Sequence, residues 1–186
     1  YICDYGYELD GVIIMGTGHQ PTPMVLAGKA LADITRFIKG DRYRSRLISK
    51  IMFGAYNKRI KNVRTSNDWL TRDETVVDEY NAGKLTTFLF TVNGYRGLMN
   101  MILYVRKPRN IAKIPKNLPM LMVSGLDDPV GEYGKGVYRA YNTYHGHIDD
   151  IDLRLFEDCR HELCNELNKE EIYEEIYGWI MDHMNK

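Results

Sequence analysis

Two short apolar runs restrict what this chain can fold into. "DGVIIMG" (Asp10 to Gly16) and "LPMLMVSG" (Leu118 to Gly125) are almost continuously apolar and are bounded by aspartate, proline and glycine. Runs of this length without alternation are expected where a strand is buried on both faces of a parallel sheet. A third run, "DIDLRLFED" (Asp150 to Asp158), alternates at Ile151, Leu153 and Leu155, as a strand nearer a sheet edge would. Between the second and third lies "GEYGKGVYRAYNTYHGH", which sets Val137, Tyr141 and Tyr144 on one helical face. After the third, "NKEEIYEEIYGWIMDHMNK" repeats Ile172, Ile176 and Ile180, with Tyr173, Tyr177 and Met184, at helical spacing. Strand, helix, strand, helix predicts an α/β fold: parallel strands with flanking helices.

About a hundred residues separate the first two strands, where one helix would suffice. The stretches "MVLAGKALADITRFI" and "RSRLISKIMFGAYNKRI" read as helices. "NDWLTRDETVVDEYNAG" reads as a helix capped by Asp73, and "PRNIAKIPKNLP" as the linker returning to the second strand. The predicted organisation is a core of residues 1–18 and 112–186 with a mainly helical cap inserted at 19–111. Met24, Leu26, Phe53, Trp69, Phe88, Phe90 and Met99 are expected in the core of that insertion, with contact to an acyl chain as the alternative.

Composition excludes several roles. Lysine and arginine together equal aspartate and glutamate at 25 each, which gives no general attraction to nucleic acid. The one basic patch, "KGDRYRSR" with "NKRIKNVR", reads as a solvated helix face. No apolar run approaches the ~20 residues of a membrane span. Three cysteines without metal spacing suit reduced thiols and a cytoplasmic setting. The chain opens on Tyr1 in mid-pattern, so its natural N-terminus is expected to lie further upstream.

Chemistry in open parallel sheets gathers at the carboxyl ends of strands. The second strand is followed by Asp127 and Asp128, and the third by "CRHEL", which presents His161. A carboxylate that holds one imidazole nitrogen fixes the tautomer and stabilises the imidazolium formed when the other takes a proton. "HELCNE" lacks the second histidine of a zinc motif, and "MGTGHQP" lacks the third glycine of a dinucleotide loop. No metal or cofactor is therefore expected.

"SGLDDPVGEYGKGV" followed by "LRLFEDCRHELCNE" resembles the closing segments of α/β-hydrolases of the serine aminopeptidase, lysophospholipase and monoacylglycerol lipase group. "NDWLTRDETVVDEYNAG" and "ELDGVIIMGTGHQP" resemble the cap and preceding strand of bacterial members. The resemblance implies the C-terminal part of an α/β-hydrolase fold, with Asp128 as acid, His161 as base and Thr17, Gly18 and His19 lining the substrate pocket. It implies a serine hydrolase acting on a small-molecule or lipid ester, such as a monoacylglycerol or lysophospholipid. Peptidase activity and a non-catalytic binding module are the alternatives. The family's G-x-S-x-G elbow is absent: Ser45, Ser49, Ser66 and Ser124 lack its flanks. The nucleophile is thus expected upstream, in a missing N-terminal half of the same protein. The strand "GVIIMG" is then expected to present an unpaired edge.

Overall fold

The computed structural model describes residues 1–184, except the side chain of Met184; residues 185 and 186, the end of the predicted terminal stretch, lie outside the described residues. In chain order the elements are α1 (Ile2–Tyr5), β1 (Val12–Met15), α2 (Thr22–Lys39), α3 (Arg46–Phe53), α4 (Glu74–Ala82), α5 (Val92–Val105), α6 (Pro108–Ile111), β2 (Met120–Gly125), α7 (Lys135–His145), β3 (Ile151–Phe156) and α8 (Lys169–Met184). The strands form one parallel sheet in the order β1-β2-β3.

β2 is buried along its whole length, and its alternating side chains feed two cores. Met120 and Met122 join Cys3, Ile111, Ala140, Tyr144 and Ile148 on one face. Leu121 and Val123 join Phe156, Leu163, Ile172 and Trp179 on the other. Helices cover both faces of the sheet, which is why β2 carries no polar alternation. β3 lies at one edge, as its alternation suggested. β1 lies at the other edge and is only partly buried, unlike the doubly buried strand expected: it pairs with β2 on one side, and among the described residues no strand pairs with its other side.

The segment between β1 and β2 has its own core. Ala32 from α2, Ile48 from α3, and Val92 and Tyr95 from α5 are all buried together. Helix starts follow their capping residues: Ser45 Oγ accepts from Ile48 N–H (3.2 Å), Asp73 Oδ1 from Thr75 N–H (2.9 Å), and Thr91 Oγ1 from Gly94 N–H (3.1 Å). α3 stops before Gly54, shorter than the helical text around it, and a 3-10 turn (Tyr56–Arg59) follows. α6 interrupts the stretch read as a linker. Of the seven apolar residues expected in the insertion core, Met99 is buried and Phe53 and Trp69 are half-buried, but Met24, Leu26, Phe88 and Phe90 are exposed. The insertion is too thin to enclose them: its small core is filled by Ala32, Ile48, Val92 and Tyr95.

All three cysteines are unpaired. No helix among the described residues is long and apolar enough to cross a membrane.

In α8 the isoleucines face the sheet with Trp179 while Tyr177 is exposed. Ile172→Ala should therefore cost about 2–5 kcal/mol, and Tyr177→Ala about 0.5 kcal/mol or less, by urea unfolding. Similar costs for both would contradict this orientation of α8.

Candidate active site

β2 and β3 end level with each other, Gly125 opposite Phe156. Beyond them the two loops are stitched backbone to backbone. Leu126 N–H donates to Phe156 O (2.8 Å), and Asp127 N–H to Cys159 O (2.9 Å). At Gly125 the backbones approach so closely that a Cβ would lie 2.0 Å from Cys159 O and 2.4 Å from Arg160 O. Only glycine leaves room for this crossing.

The crossing separates the two aspartates that follow it. Asp127 is exposed, whereas Asp128 is 0% exposed. Asp128 Oδ1 accepts from Val130 N–H (2.8 Å), and Oδ2 lies 3.1 Å from His161 Nδ1 and 3.5 Å from Ser124 Oγ. The carboxylate acceptor assigns the proton to Nδ1 and leaves the Nε2 lone pair able to take a proton. The structure thus brings together the two residues that sequence singled out as acid and base. The imidazole is held between backbone and ring: a Cβ on Gly16, which has φ +63°, would be 3.0 Å from its Cε1, and the Trp69 ring lies 5.1 Å away, centroid to centroid.

Trp69 belongs to the insertion and begins a row of aromatic contacts. Its ring meets Tyr56 edge-on at 4.8 Å, and Tyr56 meets Phe53 at 5.6 Å. Burial, with a smaller contribution from the charge of Asp128, pushes the Tyr56 phenol up to about 12, so it stays neutral and able to donate. The insertion also grips both loops. Arg59 lies over the Tyr133 ring at 3.6 Å. Arg160 donates to Asp68 O (2.6 Å) and Thr71 O (2.9 Å), and Glu162 N–H to Leu70 O (2.7 Å). Arg72 Nε donates to the buried Glu166 at 2.8 Å. Sequence reasoning missed Glu166 and Arg72. Glu166 sits in "HELCNE", weighed only as half a zinc motif, and Arg72 in a stretch read only as a helix entry.

The other residues considered are placed as follows. Gly18 abuts the loop after β2, where a Cβ would be 2.1 Å from Val130 O, and Thr17 O lies beside Gly131. His19 accepts from Arg139 Nε through its carbonyl (3.0 Å), while its Nδ1 is buried without a hydrogen-bond partner. Burial, then the nearby Arg106 charge, lowers the His19 pKa. Ser124 is buried beside Asp128 and Ser45 caps α3, so neither is presented as a nucleophile. Asp150, Asp152 and His183, at the opposite end of β3, place three donor atoms within 4.8 Å of one another. Protein groups already engage them: His183 Nε2 lies 3.3 Å from Asp150, its Nδ1 donates to Trp179 O (2.6 Å), and Trp179 Nε1 donates to Asp152 (3.0 Å).

A protein-family model described as serine aminopeptidase, S33, matches residues 1–168. A search of curated proteins gave no match. Among solved structures, the chain is 22% identical to a highly thermostable carboxyl esterase from Bacillus coagulans, with a TM-score of 0.84 over 100% of this chain and 59% of the esterase. A lipase in an open form is 21% identical, with a TM-score of 0.84 over 100% of this chain and 61% of the lipase. A soluble variant of monoglyceride lipase from Saccharomyces cerevisiae is 17% identical, with a TM-score of 0.69 over 98% of this chain and 57% of the lipase. These likenesses establish a shared fold. The chain spans about three fifths of the length of those structures.

Asp68 knots the turn before Trp69, accepting from Arg64 N–H (2.6 Å), Thr65 N–H (3.1 Å) and Thr65 Oγ1 (2.5 Å). Burial alone would raise its carboxyl pKa, but the hydrogen bonds from Thr65 and Arg64 outweigh that and hold it below the ordinary range. A lowered folded value means stability that is whole above about pH 4 and lost as pH falls through the folded value. The stability gap between the wild-type chain and Asp68→Ala, from urea unfolding at pH 7 and in steps toward pH 2, should narrow below about pH 4. A gap independent of pH would show that the carboxylate charge does not hold this turn.

Proposed function

Because the chain belongs to the serine aminopeptidase S33 family of hydrolases, we propose that it carries the acid and base of a serine hydrolase that cleaves carboxylic esters. The observation that supports this most directly is the 3.1 Å contact between the buried Asp128 and His161 Nδ1 at the ends of adjacent parallel strands. The nucleophilic serine would come from a segment N-terminal to Tyr1, in keeping with the partial coverage of the matched structures. That segment would also supply a neighbour for the free edge of β1.

In this reading His161 Nε2 takes the proton of the serine hydroxyl as its oxygen attacks the ester carbonyl, and Asp128 stabilises the imidazolium. The proton then passes to the departing alcohol, leaving an acyl-enzyme. Water, activated by the same imidazole, hydrolyses it and regenerates the serine. Residues 1–18 and 112–186 form the catalytic core in this proposal, and 19–111 form the cap. Thr17, Gly18 and His19, between β1 and α2, line the pocket side of that boundary. A lipid ester such as a monoacylglycerol or lysophospholipid is the favoured substrate class. The cap exposes Met24, Leu26, Phe37, Phe88 and Phe90, a flexible and aromatic surface suited to an acyl chain.

The test uses the full-length protein. A fluorophosphonate should add once, as read by intact mass, and the adduct should map to a serine upstream of Tyr1. His161→Ala should reduce ester turnover about 10⁶-fold and Asp128→Asn about 10⁴-fold, while Asp127→Asn should leave it close to wild type. Equal losses at Asp127 and Asp128 would undo the choice of acid. No adduct and no turnover in the intact protein would leave a hydrolase-like binding module instead.

A further inference from the structure

We infer that Glu166 is a positioning residue for His161: it clamps the histidine loop to the insertion through Arg72 and Arg160, and so fixes the imidazole between Asp128 and Trp69. The inference rests on the reading of Asp128 and His161 as acid and base. Glu166 is 1% exposed, and both carboxylate oxygens are filled by N–H donors. Oε1 accepts from Arg160 N–H (2.8 Å) and Arg72 N–H (3.2 Å), and Oε2 from Arg72 Nε (2.8 Å) and Leu167 N–H (3.2 Å). His161 lies in the five-residue segment between Arg160 and Glu166, so the clamp closes this loop at both ends.

The same segment is held to the insertion from the other direction. Arg160 reaches to the carbonyls of Asp68 and Thr71, Thr71 Oγ1 donates to Asn165 O (2.8 Å), and Glu162 N–H bonds Leu70 O. Residues 68 to 72 therefore carry Trp69 as a rigid wall against His161. Cys159, 0% exposed with its thiol pKa pushed up by burial and then by the Glu166 charge, closes the back of the loop. The clamp demands two acceptor oxygens. In Glu166→Gln one oxygen becomes an NH₂ that faces donors, so at least one N–H is orphaned and repelled.

The experiment reads the imidazole directly. In the full-length protein, nitrogen-15 NMR follows the His161 Nδ1–H, and hydrogen exchange follows the amides of Glu162 and Ile176, in Glu166→Gln and Arg72→Lys. Arg72 is partly exposed, so its substitution keeps the test available if Glu166→Gln does not fold. The clamp predicts loss of the Nδ1–H signal and exchange of the Glu162 amide at least ~10-fold faster, with Ile176 in α8 unchanged; opening by that factor is expected when a local anchor is lost. In the full-length protein kcat should fall about 10- to 100-fold with KM nearly constant, as for misplacement of a reacting group. An unchanged Nδ1–H signal in a folded variant, or equal acceleration at Glu162 and Ile176, would overturn the inference. If the His161 signal collapses in the variants while the unmodified full-length protein turns over no ester, the clamp stands and the esterase reading falls.

Discussion

The close approach of two backbones at Gly125 is the constraint on which the site depends. A side chain there would occupy the same space as the carbonyls of Cys159 and Arg160. Without one, the loops after β2 and β3 share hydrogen bonds along their length, and the second aspartate after the crossing turns inward. The 3.1 Å contact of Asp128 with His161 is therefore set by backbone packing before any side chain is chosen. Asp128 is then locked by the N–H of Val130, which spares its other oxygen for the imidazole.

The insertion takes part in this arrangement. Its helices α2, α3 and α5 form a small core of their own, but the segment from Tyr56 to Arg72 belongs mechanically to the strand-end loops. Arg59 rests on the ring of Tyr133 in the loop after β2, and Trp69 rests on His161. Motion of the insertion's helices, where it occurs, must pivot outside this segment, because movement within it would break the buried contacts of Glu166 and disturb His161.

Much of this was legible in sequence. The runs ending at Gly16, Gly125 and Asp158 contain the three strands, Asp73 caps α4 as read, and Asp128 and His161 meet. These features are local, or follow from where parallel strands end. What sequence concealed was non-local. Glu166 is explained by Arg72, 94 positions earlier, and nothing in "HELCNE" announces that partner. α5 went unread in the sequence; the Thr91 cap and the burial of Val92, Tyr95 and Met99 form it in spite of Gly94 and Gly97. Exposure of Met24, Leu26, Phe88 and Phe90 was unreadable because apolarity reports what a residue prefers, and not whether a thin layer has room to bury it.

The sheet order carries a kinetic consequence. β2 and β3 pair across about 30 residues, whereas β1 must find β2 across roughly 110, and chain entropy alone makes that second closure costlier by about 1 kcal/mol. The local unit of β2, α7 and β3 is therefore the natural nucleus, with β1 recruited later. The insertion's separate core shortens the loose chain that β1 must drag behind it. A segment that walls the histidine in the folded state thus also serves as a compaction device while the sheet assembles.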